Sequence, residues 1–129
     1  MILGLFLVLL VINIFSGCKE KDEVIKNGAL LSLSGDAAFF GDGELKAIQM
    51  AVDETNTKGG INGKKIDLVI EDYGTLDNVK GITALRKLIS YDNVRAIIGP
   101  TWDMAGIAGV AEEENIVMIS PDNTEGIES

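Results

Sequence analysis

Apolar and polar positions switch between two periods along most of this 129-residue chain. Val24 to Leu33 (VIKNGALLSL) is an apolar run ended by the turn-forming Ser34-Gly35-Asp36, which predicts a buried strand. A loop through Phe39-Phe40-Gly41 is expected to follow. Leu45, Ile48 and Met50-Ala51-Val52 then recur at helical spacing, with Glu44, Lys46, Asp53 and Glu54 on the other face. Lys58-Gly59-Gly60 should stop that helix, a basic last turn followed by glycines that accept a left-handed cap. The cycle then repeats. Lys65 to Glu71 (KIDLVIE) predicts a second strand, and Asp77 can cap a helix striped by Val79, Ile82, Leu85, Leu88 and Ile89. Val94 to Ile98 predicts a third strand, closed by Gly99-Pro100. A helix from near Asp103 to Glu114 should follow, and Ile116 to Ile119 predicts a fourth strand before Ser120-Pro121. Strict alternation of strand and helix implies an α/β fold, a parallel sheet of Rossmann-like βα repeats with right-handed crossovers.

In such open sheets ligands bind outside the carboxyl ends of the strands. Those ends are Ser34 to Gly41, Asp72 to Thr75, Gly99 to Gly106 and Ser120 to Thr124, so four loops are expected at one edge.

A different pattern precedes Val24. Ile2 to Ile12 is apolar except for Gly4, and it leads through Asn13-Ile14-Phe15 to Ser16-Gly17-Cys18. A membrane-spanning helix needs about 20 apolar residues, and this stretch reaches Lys19 sooner, a length that suits a signal-peptide core. Its end resembles a bacterial lipobox, in which small residues precede a cysteine that takes a diacylglycerol, although Phe15 stands where that pattern usually has Leu. No Lys or Arg precedes the run, so the positive end is the amino group of Met1. The expected organisation is a lipoprotein signal peptide over 1–17, lipidated Cys18 with a tether over 18–23, and one domain over 24–129.

Composition narrows the chemistry. Cys18 is the only cysteine, which excludes an internal disulfide and suits lipid attachment. The chain has no histidine, which removes Ser-His and Cys-His catalysis and most zinc sites. With 20 acidic and 11 basic residues the net charge is −9, a surface that repels nucleic acid. Gly41-Asp42-Gly43 resembles the start of a dinucleotide loop, but the third glycine is missing and Asp42 and Glu44 would repel pyrophosphate. Glu71-Asp72 is not a general acid/base couple, because neighbours on a strand face opposite sides. No enzyme, cofactor or metal is expected.

From Asn27 to Thr124 the chain resembles the N-terminal lobe of type I periplasmic binding proteins of the branched-chain amino acid class, the substrate-binding subunits of ABC importers. The resemblance is carried by NGALLSLSGDAAFFGDGELKAIQMAVDETNTKGGINGKKIDLVIEDYGT from Asn27, VRAIIGPT from Val94 and IVMISPDNT from Ile116. Its most distinctive part is Asn56, Gly59-Gly60 and Asn62-Gly63 before a strand that ends in Glu71-Asp72. The resemblance implies a small-molecule solute, amino acid or amide, held in a cleft between two similar lobes, with ABC permease subunits as partners and a lipid anchor on the membrane. The chain then corresponds to an incomplete N-terminal lobe, and the expectation is that these 129 residues bind amino acid weakly or not at all. A sensory input domain of the same fold, or a truncated gene product, are the alternative readings.

The resemblance also implies site residues. The loop after the third strand and the following helix start would hold the solute carboxylate, which here is Thr101, Trp102, Asp103, Met104, Ala105 and Gly106. This stretch carries an acid and few small hydroxyl residues, and the segment between Gly99 and Ile116 is about two residues shorter than the family pattern. Thr101 is the candidate hydroxyl donor, its competing role being a bond to local backbone. Trp102 is expected on an apolar part of the solute or in ordinary surface packing, and Asp103 caps its helix or meets ligand. Ser120-Pro121-Asp122-Asn123-Thr124 resembles the family's Ser/Thr-Pro-x-x-Thr motif, which points to Asp122 and Thr124 for the amino acid head group. Phe40 occupies a position where the family often has an aromatic residue at the cleft; burial against the first helix is the other reading for Phe39 and Phe40.

Overall fold

A computed structural model describes residues 24–75, 77–102 and 104–121, with the side chains of Met104 and Ala105 undescribed. The N-terminal apolar run, Cys18, Asp103, Asp122 and Thr124 lie outside the described residues. Four strands, β1 (Ile25–Leu31), β2 (Ile66–Asp72), β3 (Ala96–Ile98) and β4 (Val117–Ile119), form one sheet in the order β2-β1-β3-β4. All three pairings are parallel, with Ala29 opposite both Ile70 and Ile98, and Ile98 opposite Ile119. Helices α1 (Ala38–Thr57), α2 (Asn78–Arg86, continued by a π-helical turn over Lys87–Tyr91) and α3 (Met104–Glu113) connect them.

The order and kind of the elements match the pattern of the sequence, whereas several ends differ. The strands exclude Val24, Leu33, Val94 and Ile116, and for the last three other bonds claim the amide. The Leu33 amide donates to the Asp72 side chain, the Val94 amide closes the π turn on the Leu88 carbonyl, and the Ile116 amide closes α3 on the Ala111 carbonyl.

The main core lies between the sheet and the α2–α3 pair. Leu30, Ile97, Tyr73, Leu85, Leu88 and Ile107 are its large buried members, and Val69 and Met118 extend it across the sheet. Asp77 caps α2 as expected, its Oδ1 accepting from the Lys80 amide at 2.9 Å. Most of the expected stripe holds: Leu85 and Leu88 are buried and Ile82 and Ile89 pack against the core, with Gly81 and Ala84 buried beside them, whereas Val79 is 78% exposed. Glycine and alanine face inward there because Ile107 of α3 packs directly over Gly81.

Helix α1 covers the opposite face over β1 and β2, and it corrects the expected loop at Phe39-Phe40-Gly41, which forms its first turn. Two contacts start the helix early. The Ala37 amide donates to Thr75 Oγ1 at 3.0 Å, and Gly41, the one buried residue of α1, lies against the Ser32 carbonyl. A Cβ at Gly41 would sit 2.0 Å from that oxygen, so only glycine lets the helix approach the end of β1 so closely.

The Asn56 to Gly63 signature serves the other end of α1. Gly60 takes φ +81° and donates to the Thr55 carbonyl, closing the helix by a left-handed cap. Asn56 Oδ1 accepts from the Ile66 amide at 2.7 Å while its Nδ2 donates to the Ile66 carbonyl at 2.9 Å, which locks the helix end to the start of β2. Asn62 and Gly63, both at positive φ, turn the chain between two Ile61–Lys64 backbone bonds.

Candidate functional site

The carboxyl ends of the strands gather at one edge, and hydrogen bonds stitch their loops together. Asp72, the last residue of β2, is the hub. Its Oδ1 accepts from the amides of Leu33 (2.9 Å) and Gly74 (2.8 Å), and its Oδ2 accepts from Ser34 Oγ (2.6 Å) and Lys80 Nζ (3.2 Å). Burial alone would push this carboxyl up; the bonds from Ser34, Gly74, Leu33 and Lys80 outweigh it and hold the group well below the usual carboxylate range. Thr75 adds a second stitch, accepting from Ala37 and donating to the Ser34 carbonyl at 3.1 Å. Glu71 has different partners from its neighbour: it pairs with Lys87, whose pKa that hydrogen bond raises, and Lys87 also lies 3.7 Å from Asp92.

The loop after β3 is fixed more tightly. Thr101 is fully buried; its Oγ1 accepts from the Ser32 amide at 3.1 Å and donates to Glu44 Oε2 at 2.7 Å. The contact to Glu44 has the reach of a nucleophile and its base, but burial and the Ser32 bond make it structural. Trp102 is held through its backbone. The buried Tyr73 hydroxyl donates to the Trp102 carbonyl and accepts from the Trp102 amide, both at 2.8 Å. Ser120 Oγ donates to the Pro100 carbonyl at 3.0 Å and brings in the loop after β4.

On the outside of this network stands an aromatic group. The Phe40 ring lies 4.9 Å from the Trp102 ring at 50°, and Phe39 meets Phe40 edge-on at 5.6 Å. Phe39 is 83% and Phe40 51% exposed, so neither is buried against its helix. A groove of about 390 Å³ beside them is lined by Phe39, Phe40, Asp42, Gly43, Glu44 and Lys46.

Of the residues expected at a site, Phe40, Thr101 and Trp102 come together here, and Met104 and Ala105 begin α3 immediately after them. Thr101 does bond to backbone, although the backbone is that of the distant Ser32 and not its own loop. Asp122 and Thr124 follow the anchored Ser120 in sequence and lie outside the described residues. Sequence reasoning misses Tyr73 and Glu44. Tyr73 directly follows the Glu71-Asp72 end of β2, and Glu44 stands one helical turn after Phe40, a neighbour legible only once α1 is known to begin at Ala38. Among the described residues no three His, Cys, Asp or Glu side chains gather as a metal site. The arrangement offers an aromatic surface rimmed by carboxylates, suited to holding a small solute.

Comparison with known proteins agrees with this geometry. The sequence profile of the family described as periplasmic binding protein matches residues 24–129. The chain is 40% identical over 86 residues to the Leu/Ile/Val-binding protein homolog 7 of Brucella suis, an alignment covering 67% of this chain and 21% of that protein. Its fold is similar to the branched-chain amino acid transporter substrate binding protein LivJ from Streptococcus pneumoniae, solved in complex with isoleucine. That likeness has a TM-score of 0.77 and 32% identity, over 81% of this chain and 30% of that one. The leucine binding protein LivK from Thermotoga maritima is similar at a TM-score of 0.70 and 28% identity, over 79% and 29% of the two chains. The chain thus spans about a fifth of the length of the curated relatives it matches.

Proposed function

Because the chain belongs to the periplasmic binding protein family, we propose that it forms one lobe of an extracytoplasmic solute-binding subunit of an ABC importer, with amino acids of the branched-chain type or related small solutes as cargo. One observation carries the reading: the strand-end loops converge on an edge that exposes Phe40 and Trp102 in ring contact, a surface ready to close over a small molecule. The protein acts by binding and handing over its solute, not by catalysis. Closure of a second lobe would remove the solute from water and create the shape that the permease subunits recognise.

A single lobe supplies only part of the contacts. Calorimetric titration of the 129-residue chain with leucine, isoleucine and valine is expected to give affinities weaker than micromolar. Submicromolar binding would overturn the half-site reading. Cys18 carries the lipid anchor in this account, so metabolic labelling with a radioactive fatty acid should mark the expressed protein and fail to mark Cys18→Ala. Equal labelling of both would remove the anchor from the proposal.

A further inference from the structure

In the lobe's solute site, two of the hydrogen-bonding groups that would receive a carboxylate are already engaged. The Trp102 amide is held by Tyr73, and the Thr101 hydroxyl gives its proton to Glu44. The side chains beside them are of opposite character. Phe40 and Glu44 are four residues apart on α1 and share a face. Trp102 lies in ring contact with Phe40, and Thr101 joins Glu44 to the same loop, so two ring faces and a carboxylate form one continuous surface. Among the described residues no basic side chain forms an ion pair with Glu44, and the adjoining groove adds Asp42 against the single cation of Lys46.

Aromatic faces attract cations through the ring quadrupole, and a nearby carboxylate adds direct charge attraction. We propose that this lobe receives the cationic end of its solute, an alkylammonium or protonated amine, on the Phe40 and Trp102 rings beside Glu44, and does not receive a carboxylate there. The inference rests on the solute-binding reading and narrows its ligand class. The net charge of −9 favours the approach of such a cation.

Trp102 is the only tryptophan of the chain, so its fluorescence reports on this surface directly. The probes are choline and its uncharged carbon analogue, 3,3-dimethylbutan-1-ol, titrated into the 129-residue chain, with L-leucine as a third ligand. Choline is expected to change the emission at a concentration about tenfold below the alcohol. Glu44→Gln keeps an acceptor for Thr101 but removes the charge, and should abolish that preference. Phe40→Leu keeps an apolar side chain but removes the ring, and should weaken choline about tenfold while leaving the alcohol unchanged. Circular dichroism matching the parent confirms that both variants fold; should one of them fail to fold, the other tests the same surface.

Equal response to choline and the alcohol, no response to choline up to about 100 mM, or a preference that survives in the folded variant would overturn the inference. Leucine binding alongside any of those results would leave the solute-binding reading standing. Choline binding as expected, without any response to leucine, would instead count against the cargo class and not against the cation surface.

Discussion

Asp72 joins the loops after β1 and β2 through four hydrogen bonds, and its ionised form is the one they stabilise. A carboxyl whose folded pKa is depressed contributes stability that is present above its unfolded pKa of about 4 and lost as pH falls toward the folded value. The urea midpoint should therefore drop on acidification below about pH 4, and Asp72→Asn should flatten that part of the profile while lowering the midpoint at neutral pH. Parallel profiles would contradict this role. Tyr73 acts in the same way on the next loop, and Tyr73→Phe should cost about 1–3 kcal/mol by leaving the Trp102 amide and carbonyl without that partner. Its measurable sign is a lower urea midpoint, read from Trp102 emission. Neither residue's role is legible from its neighbours in sequence. Glu71-Asp72 reads as a strand end, but Tyr73 gains its meaning from Trp102, 29 positions away, and only the fold sets that distance to hydrogen-bonding range.

Among the elements, the order of strands and helices is readable because each carries its own period: KIDLVIE is branched and apolar, and Asp77 caps α2 by a local bond. The start of α1 is not. Phe39-Phe40-Gly41 reads locally as a loop because glycine weakens helices, yet Gly41 is the residue that lets α1 approach the Ser32 carbonyl. Gly41→Ala should destabilise the chain by about 1–3 kcal/mol despite the higher helix propensity of alanine, checked by chemical denaturation. A stabilised variant would mean that propensity outweighs the contact. The stripe of α2 misleads only at Val79, and for a related reason. Val79 is apolar, but it lies in the first turn, on the side away from Ile107, so packing against α3 selects Gly81 and Ala84 instead.

At the scale of the molecule, the two faces of the sheet differ. The α2–α3 side holds the main core, while on the α1 side Val117 and Ile119 remain 61% and 63% exposed beyond the helix. An apolar crease of about 380 Å³ between α1 and the sheet, floored by Ile66 and Ile98, adjoins them. The site edge follows from the alternation of elements alone, since parallel strands must end together; its chemistry does not, because burial of Thr101 and engagement of the Trp102 amide are tertiary facts. In the proposed function this edge is one side of a solute site. The most direct test is a map of backbone amide chemical shifts in the 15N-labelled chain, titrated with branched-chain amino acids, amides and organic amines. At least one of these solutes, at millimolar concentration, is expected to shift amides of Ser34 to Gly41, Tyr73 to Thr75 and Gly99 to Trp102, and to leave the opposite edge around Asn56 and Asn62 unchanged. Shifts centred on that opposite edge, or none with any solute, would contradict it.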